Sequence, residues 1–342
     1  MKKILRKIIL FLIIAIATGI VLYFSLKDNY TVIIDTILHI NKIWLGIAFL
    51  LFFTYYFLKS YVTRNFATEF NPNYSLKDAF RMTTETSFFH AVTPFATGGQ
   101  PYEIYSLMKH NINIIDATNI SIESFIVYQI ALVFLGAVSI ICNHFFHILN
   151  SNLLKNFLTL GFLINFLVIV VLFWITLSKK TEKNIIYKII DVLAKMKIVK
   201  NKEESKEKLK KYLVKFNNGS KLLLKDKKRF ISMTIVELFS LTSLYLVPLA
   251  LFCGIGFYEI SGLTCILTMS YVMLIGSFVP IPGGTGGLEY GFVAFFGNFI
   301  KGAKLNAIML LWRFITYYFA MILGAIILNI KGGKKNESRD IH

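Results

Sequence analysis

Charge is scarce in this chain. Of 342 residues only 16% are Asp, Glu, Lys or Arg, 56% are hydrophobic, and the mean hydropathy is +0.62. Such a composition excludes an ordinary soluble domain and points to a polytopic membrane protein, for which a count of soluble domains by length has no meaning. Cysteine is nearly absent. Cys142, Cys253 and Cys265 lie in apolar stretches without Cys-x-x-Cys spacing, which argues against a disulfide framework and a thiolate metal centre. His144 and His147 sit one helical turn apart with no carboxylate or thiol partner nearby, so no metal and no other cofactor is expected. A nucleotide loop is missing as well: glycine-rich sequence occurs, but no Gly-Lys-Ser/Thr follows it and no strand precedes it.

What charge there is has a strong bias, +18 overall. Between Lys179 and Arg229 there are 18 Lys/Arg against 6 Asp/Glu, a net of +12, so most of the excess sits in one loop between apolar runs. A basic loop so placed reads as a cytoplasmic determinant, either resting on an anionic membrane surface or simply solvated; specific nucleic-acid binding is not expected. Ile185, Ile189, Val192, Leu193 and Met196 give it an amphipathic helical face, and Asn217-Asn218-Gly219-Ser220 reads as a turn.

Apolar windows long enough to cross a bilayer lie near 8–25, 43–62, 119–142, 154–177, 230–254, 258–279 and 305–329. The first follows Met1-Lys2-Lys3 without a cleavage signal and reads as an uncleaved span. Lys2, Lys3, Arg6 and Lys7 place the N-terminus inside; Lys59, Arg64, Lys77 and Arg81 return the chain to that side; Lys331, Lys334, Lys335 and Arg339 keep the tail there. These constraints agree if 79–108 is re-entrant and 288–300 crosses or nearly crosses. The expectation is an all-α protein of the cytoplasmic membrane with about eight transmembrane helices and both termini inside. Residues 1–330 form the membrane domain, with the 179–229 loop inside it, and 331–342 form a tail.

Two segments break the apolar pattern in a related way. The first is Thr93-Pro94-Phe95-Ala96-Thr97-Gly98-Gly99-Gln100-Pro101-Tyr102-Glu103; the second is Pro280-Ile281-Pro282-Gly283-Gly284-Thr285-Gly286-Gly287-Leu288-Glu289. Laying Pro94 on Pro280, an offset of 186, puts Gly98 on Gly284 and Glu103 on Glu289. Proline and glycine break helices, and broken backbone at membrane depth is tolerated where it lines a cavity or is buried in protein. Half-helix N-termini suit a phosphate or carboxylate. Paired breaks in two halves of a chain mark a transporter-like site and an inverted repeat. Glu103 and Glu289 are therefore candidate headgroup ligands, although Glu103 in the first turn of a resumed helix also fits a dipole-complementing acid.

Arg313, between Trp312 and Phe314 in the last span, needs a carboxylate or phosphate partner: Glu289, Glu237, Glu123, Glu103 or a lipid headgroup. A purely structural ion pair is the other reading. Glu123 and Glu237, near span starts, read as interface residues, and Tyr55, Tyr56 and Tyr61 as an interface belt.

Thr93-Pro94 with Gly98-Gly99-x-Pro101-x-Glu103, then Pro280-x-Pro282-Gly283-Gly284-x-Gly286-Gly287-x-Glu289, then Arg313, resemble the lysylphosphatidylglycerol synthase transmembrane region, or flippase-like domain, family across nearly the whole chain. The resemblance implies a lipid flippase acting on a phospholipid such as aminoacylated phosphatidylglycerol, with these residues as its binding site. In two-domain relatives a separate soluble domain attaches the amino acid. The twelve residues after the last apolar span leave no room for one here, so a lysyltransferase, or an accessory subunit that recruits a separate synthase, is the second expectation, and a separate lipid-modifying enzyme is an expected partner.

Overall fold

The computed structural model of the chain describes residues 30–146, 152–177, 226–276, 279 and 281–330, and every regular element among them is helical. In order these are α1 (Tyr30–Leu38), α2 (Lys42–Ala67), α3 (Leu76–Val92), a 3₁₀ turn at Pro94–Ala96, α4 (Gly99–Lys109), α5 (Ile114–Phe146) and α6 (Asn152–Leu177). After residue 226 come α7 (Lys227–Tyr245), α8 (Val247–Gly254), α9 (Gly262–Gly276), a second 3₁₀ turn at Pro282–Gly284 and α10 (Gly287–Phe296). The last stretch is α11 (Ala303–Arg313), a π-turn at Phe314–Phe319 and α12 (Ala320–Asn329). The first apolar window, most of the basic loop (residues 178–225) and the tail 331–342 lie outside the described residues, as do His147 and Pro280.

Helix starts follow local chemistry. The side chains of Asn41, Ser75 and Asp226 accept from the backbone N–H groups of Ile43, Asp78 and Arg229, covering donors that a first turn leaves open. Four stretches are long and apolar enough to cross a bilayer: Lys42–Ala67, Ile114–Phe145, Lys227–Gly254 and Ala303–Asn329; Leu158–Leu172 and Gly262–Gly276 are shorter apolar helices. Large apolar side chains such as Leu50, Phe134, Leu167 and Phe239 point outward, as lipid-facing surfaces do.

The chain is built twice. A long helix, a helical hairpin with a broken tip and a second long rod recur as α2, α3–α4, α5 and again as α7–α8, α9–α10, α11–α12. Both hairpins are antiparallel: His90 lies on Gly99 and Phe89 on Tyr102 in the first, while Leu288 lies on Gly276 and Phe295 on Tyr271 in the second. The stretch 288–300 therefore does not continue across the bilayer. At 1.5 Å per residue the ten residues of α10 reach about 15 Å, half of a ~30 Å hydrocarbon layer, and they return along α9. The second broken element is the same kind of object as the first.

The two hairpins oppose each other. On α5, Ser121 bonds Glu103 of the first hairpin, whereas Gly136 packs on Leu274 and the Ser139 carbonyl accepts from the Tyr271 hydroxyl of the second. Ser121 and Ser139 are about 27 Å apart along the helix, so the hairpins enter from its opposite ends, and their tips pack together. The leading helices α2 and α7 are antiparallel too: Ser243 and Ser240 donate to the Leu51 and Tyr55 carbonyls, and Arg229 reaches Asn65 and Glu69. Small residues permit the close approaches. A Cβ on Gly324 of α12 would stand 2.5 Å from the Thr84 carbonyl oxygen of α3. The duplication is an inverted repeat.

Candidate functional site

The tips show which residues of the two copies correspond. Ala96 N–H donates to the Thr93 carbonyl and Thr97 N–H to that of Pro94; Gly284 N–H donates to Ile281 and Thr285 N–H to Pro282. The Thr97 and Thr285 hydroxyls donate to the same Pro94 and Pro282 carbonyls, at 2.9 and 2.8 Å. Left-handed residues match as well: Phe95 (φ 52) with Gly283 (φ 64), and Ala96 (φ 54) with Gly284 (φ 64). Every one of these pairs is 188 positions apart. Proline-x-x-Thr-Gly-Gly is the shared unit, Pro94 to Gly99 and Pro282 to Gly287, and it ends on the first residue of α4 and of α10. The 186 offset expected from Pro94 and Pro280 is thus corrected by two residues, and Glu103 and Glu289 are not equivalents.

They also do different things. Glu289 is the third residue of α10. One carboxylate oxygen accepts from the N–H of Gly286, the residue preceding the helix, at 2.7 Å, and the other accepts from Arg313 Nε at 2.6 Å. Arg313 Nη2 donates to the Gly283 carbonyl at 3.0 Å, and its guanidinium carbon lies 4.4 Å from the centre of the Tyr317 ring. Both charges are buried, at 5% and 3% exposure. Of the four carboxylates open to Arg313, the structure selects Glu289. The acid that complements a helix start is Glu289, not Glu103, which stands in the second turn of α4 and accepts from Ser121 at 2.9 Å.

The other described residues of the two broken segments have places at the tips. Thr93 accepts from Gly98 N–H at 2.8 Å and donates to the Phe89 carbonyl, tying the turn to α3. Gly99 makes room for the His90 ring, whose Nδ1–H donates to Ala96; a Cβ there would be 1.9 Å from His90 Cε1. Gly283 does the same for Tyr317, with 2.0 Å available, and Tyr317 donates onward to the Ala91 carbonyl of α3. Gly286 has φ 88, a conformation that suits glycine, and Gly287 packs under Val279. Pro94 and Pro101 are exposed, and Pro282 is buried.

Between the opposed hairpins lies a cavity of about 480 Å³. Glu103 and Arg313 line it, but so do residues that the sequence reading placed elsewhere. Lys59, which by sequence reads as a topology signal, faces the cavity from α2; its ammonium donates to the Tyr55 hydroxyl at 3.2 Å and lies 5.2 Å from the Tyr128 ring centre. Glu237, taken as an interface residue, is 1% exposed and on the cavity wall; Glu123 is equally buried. Tyr55 and Tyr56 are wall residues too, not a belt. Gln129 and Asn165 add an amide pair at 3.4 Å. Glu289 does not line the cavity; it holds Arg313 there. Next to the first tip, Glu85 accepts from Arg81 Nε at 2.8 Å and Tyr102 at 2.6 Å, a buried acid with no signal of its own beyond its place in an apolar stretch. Among the described residues no cluster of His, Cys, Asp and Glu could hold a metal ion.

Inverted halves meeting at a charged cavity define a class, multi-pass helical membrane proteins built from inverted repeats. The chain belongs to the lysylphosphatidylglycerol synthase TM region family, which it matches over residues 8–324. Comparison with the curated proteins finds no match. Family membership ties the chain to lysylphosphatidylglycerol biosynthesis or lipid handling in a membrane.

Proposed function

We propose that the chain is a lipid flippase of the cytoplasmic membrane, moving the polar headgroup of a phospholipid through the cavity while the acyl chains stay in the bilayer. The observation that carries this reading is the cavity itself: a space of about 480 Å³ where two broken hairpins meet, lined by Lys59, Glu103, Glu237 and Arg313. Charges so deep in an apolar chain are costly and mark pathways for polar substrates. Arg313 takes the phosphate, held in place by Glu289 and Gly283, and Glu103 with Glu237 orients the rest of the headgroup. The basic loop rests on the anionic cytoplasmic leaflet, with both termini on that side. A separate lipid-modifying enzyme supplies the substrate.

Reconstituted vesicles carrying a headgroup-labelled phospholipid test the reading. Glu103→Gln and Lys59→Met are expected to slow exchange between leaflets by about tenfold, the range of a lost charge-assisted contact, without unfolding the chain. Wild-type rates in both would sink it. The family's description favours a second reading, a lysyltransferase. Lipid extracts separate the two: an enzyme's loss removes the aminoacyl lipid, whereas a flippase's loss leaves its amount unchanged and removes it from the outer leaflet.

A further inference from the structure

We infer that the cavity opens sideways into the bilayer beside Phe95 of the first tip and Ile164 of α6, and that the glycerol backbone of the lipid crosses the protein's surface at this opening. This rests on the lipid-handling reading above and deepens it by placing the substrate's tails.

The two tips are finished differently. At the second, Arg313 and Tyr317 close over Gly283, and Pro282 and Thr285 are buried. At the first, Pro94, Phe95 and Thr97 are exposed, Phe95 by 58%. The backbone there is costly. Phe95 has φ 52, a left-handed conformation that its counterpart Gly283 adopts without a Cβ to hinder it. Strain of this kind collects at ligand clamps and switch regions, where the side chain so placed has a use. What this turn gains is an aromatic ring on the cavity wall, close in the chain to Gln100 and Glu103 of the same wall.

The apolar residues of the wall show where the cavity ends. Among the described residues, Phe95 and Ile164 are the large apolar side chains that both line it and are exposed. Ile164 stands on α6 beside Leu163 and Leu167, themselves exposed, on a helix face turned to lipid. The eleven residues of α4 separate the first tip from the membrane's edge by about 16 Å, so Phe95 lies near the middle of a ~30 Å hydrocarbon layer. Outside the protein at that depth there are acyl chains and no water.

A phospholipid with its headgroup in the cavity has to pass from polar to apolar surroundings along its own length. That change falls at the glycerol backbone, where the charged group ends and the hydrocarbon begins. The opening joins the same two surroundings, with Lys59, Gln100 and Glu103 on the wall inside and Phe95, Ile164 and the bilayer at the rim. The tails thus stay in lipid while the headgroup moves.

The test attaches a removable obstacle. In a chain carrying Cys142→Ala, Cys253→Ala and Cys265→Ala, single cysteines are introduced as Phe95→Cys, Ile164→Cys and, on the lipid-facing side of α5 away from the cavity, Phe134→Cys. Each is reacted with a bulky aromatic methanethiosulfonate and reconstituted with headgroup-labelled phosphatidylglycerol. Labelling at 95 or 164 should slow exchange between leaflets by at least about tenfold, and dithiothreitol, which removes the label, should restore the rate of the unlabelled variant. Labelled Phe134→Cys should keep its unlabelled rate. Unslowed exchange after complete labelling at 95 and 164, or equal slowing at 134, overturns the inference. If the unlabelled chain exchanges no lipid, the flippase reading falls and the opening is judged by native mass spectrometry. The label at 95 should then abolish retention of phosphatidylglycerol and spare glycerophosphoglycerol, the same headgroup without tails; loss of both or of neither overturns the opening as well.

Discussion

Removing one member of the Glu289–Arg313 pair should cost more than removing both. The two are almost fully buried, 2.6 Å apart, and each has one further partner: Gly286 N–H for the acid, the Gly283 carbonyl for the base. In Arg313→Met the carboxylate keeps a single amide donor, and in Glu289→Met the guanidinium keeps a single carbonyl. An uncompensated buried charge of this kind costs about 3–5 kcal/mol. The double variant has no buried charge. It loses the partners of two backbone groups, about 1 kcal/mol each, so it should sit about 2 kcal/mol below the wild type and at least about 4 kcal/mol short of the sum of the single variants. Equilibrium unfolding in mixed micelles, titrated with dodecyl sulfate and followed by circular dichroism, gives the cycle. Costs that add within about 0.5 kcal/mol would show that the charges do not meet, and the account of the second tip would fall with them.

Three more outcomes follow from the tips and the rods. Gly283→Ala places a methyl group 2.0 Å from the Tyr317 ring at φ 64, so it should lower thermal stability by at least about 2 kcal/mol, read by the same unfolding titration. Ala96→Gly, at the matching turn of the other hairpin, removes a left-handed cost of about 1–2 kcal/mol and should be neutral or stabilising; a clear loss would contradict the strained backbone at φ 54. Arg81→Met frees the Ile327 and Ile330 carbonyls at the end of α12 and leaves the buried Glu85 with Tyr102 as its donor, so faster amide exchange in the last turn of α12 and in α3 around Glu85 is the expected result.

Apolar runs and helix breakers made the helices, both broken elements and the inverted arrangement legible from sequence, because each is a local signal repeated. Register was harder. A segment rich in proline and glycine overlays on itself in more than one way, and anchoring on Pro94, Pro280 and the two acids chose 186. The backbone bonds of Thr97 and Thr285 choose 188, and the run Pro-x-x-Thr-Gly-Gly followed three residues later by Tyr102 and Tyr290 was the signal for it. Lys59 and Glu237 were visible as residues but not as neighbours, since they come from helices of different halves. A lysine near a span end carries the same charge whether it marks a loop or faces a cavity, and only packing tells the two apart.

The π-turn at Phe314–Phe319 has a mechanical consequence. Arg313 grips the second tip and Tyr317, four residues on, grips the first through the Ala91 carbonyl. One shaft thus carries both grips, within about a single helical turn. Pulling either hairpin outward loads the other through that shaft, so the two cannot swing freely of one another. The widened turn between the grips, looser than ordinary helix, is the compliant part of the linkage and sets how far one side yields before the other follows.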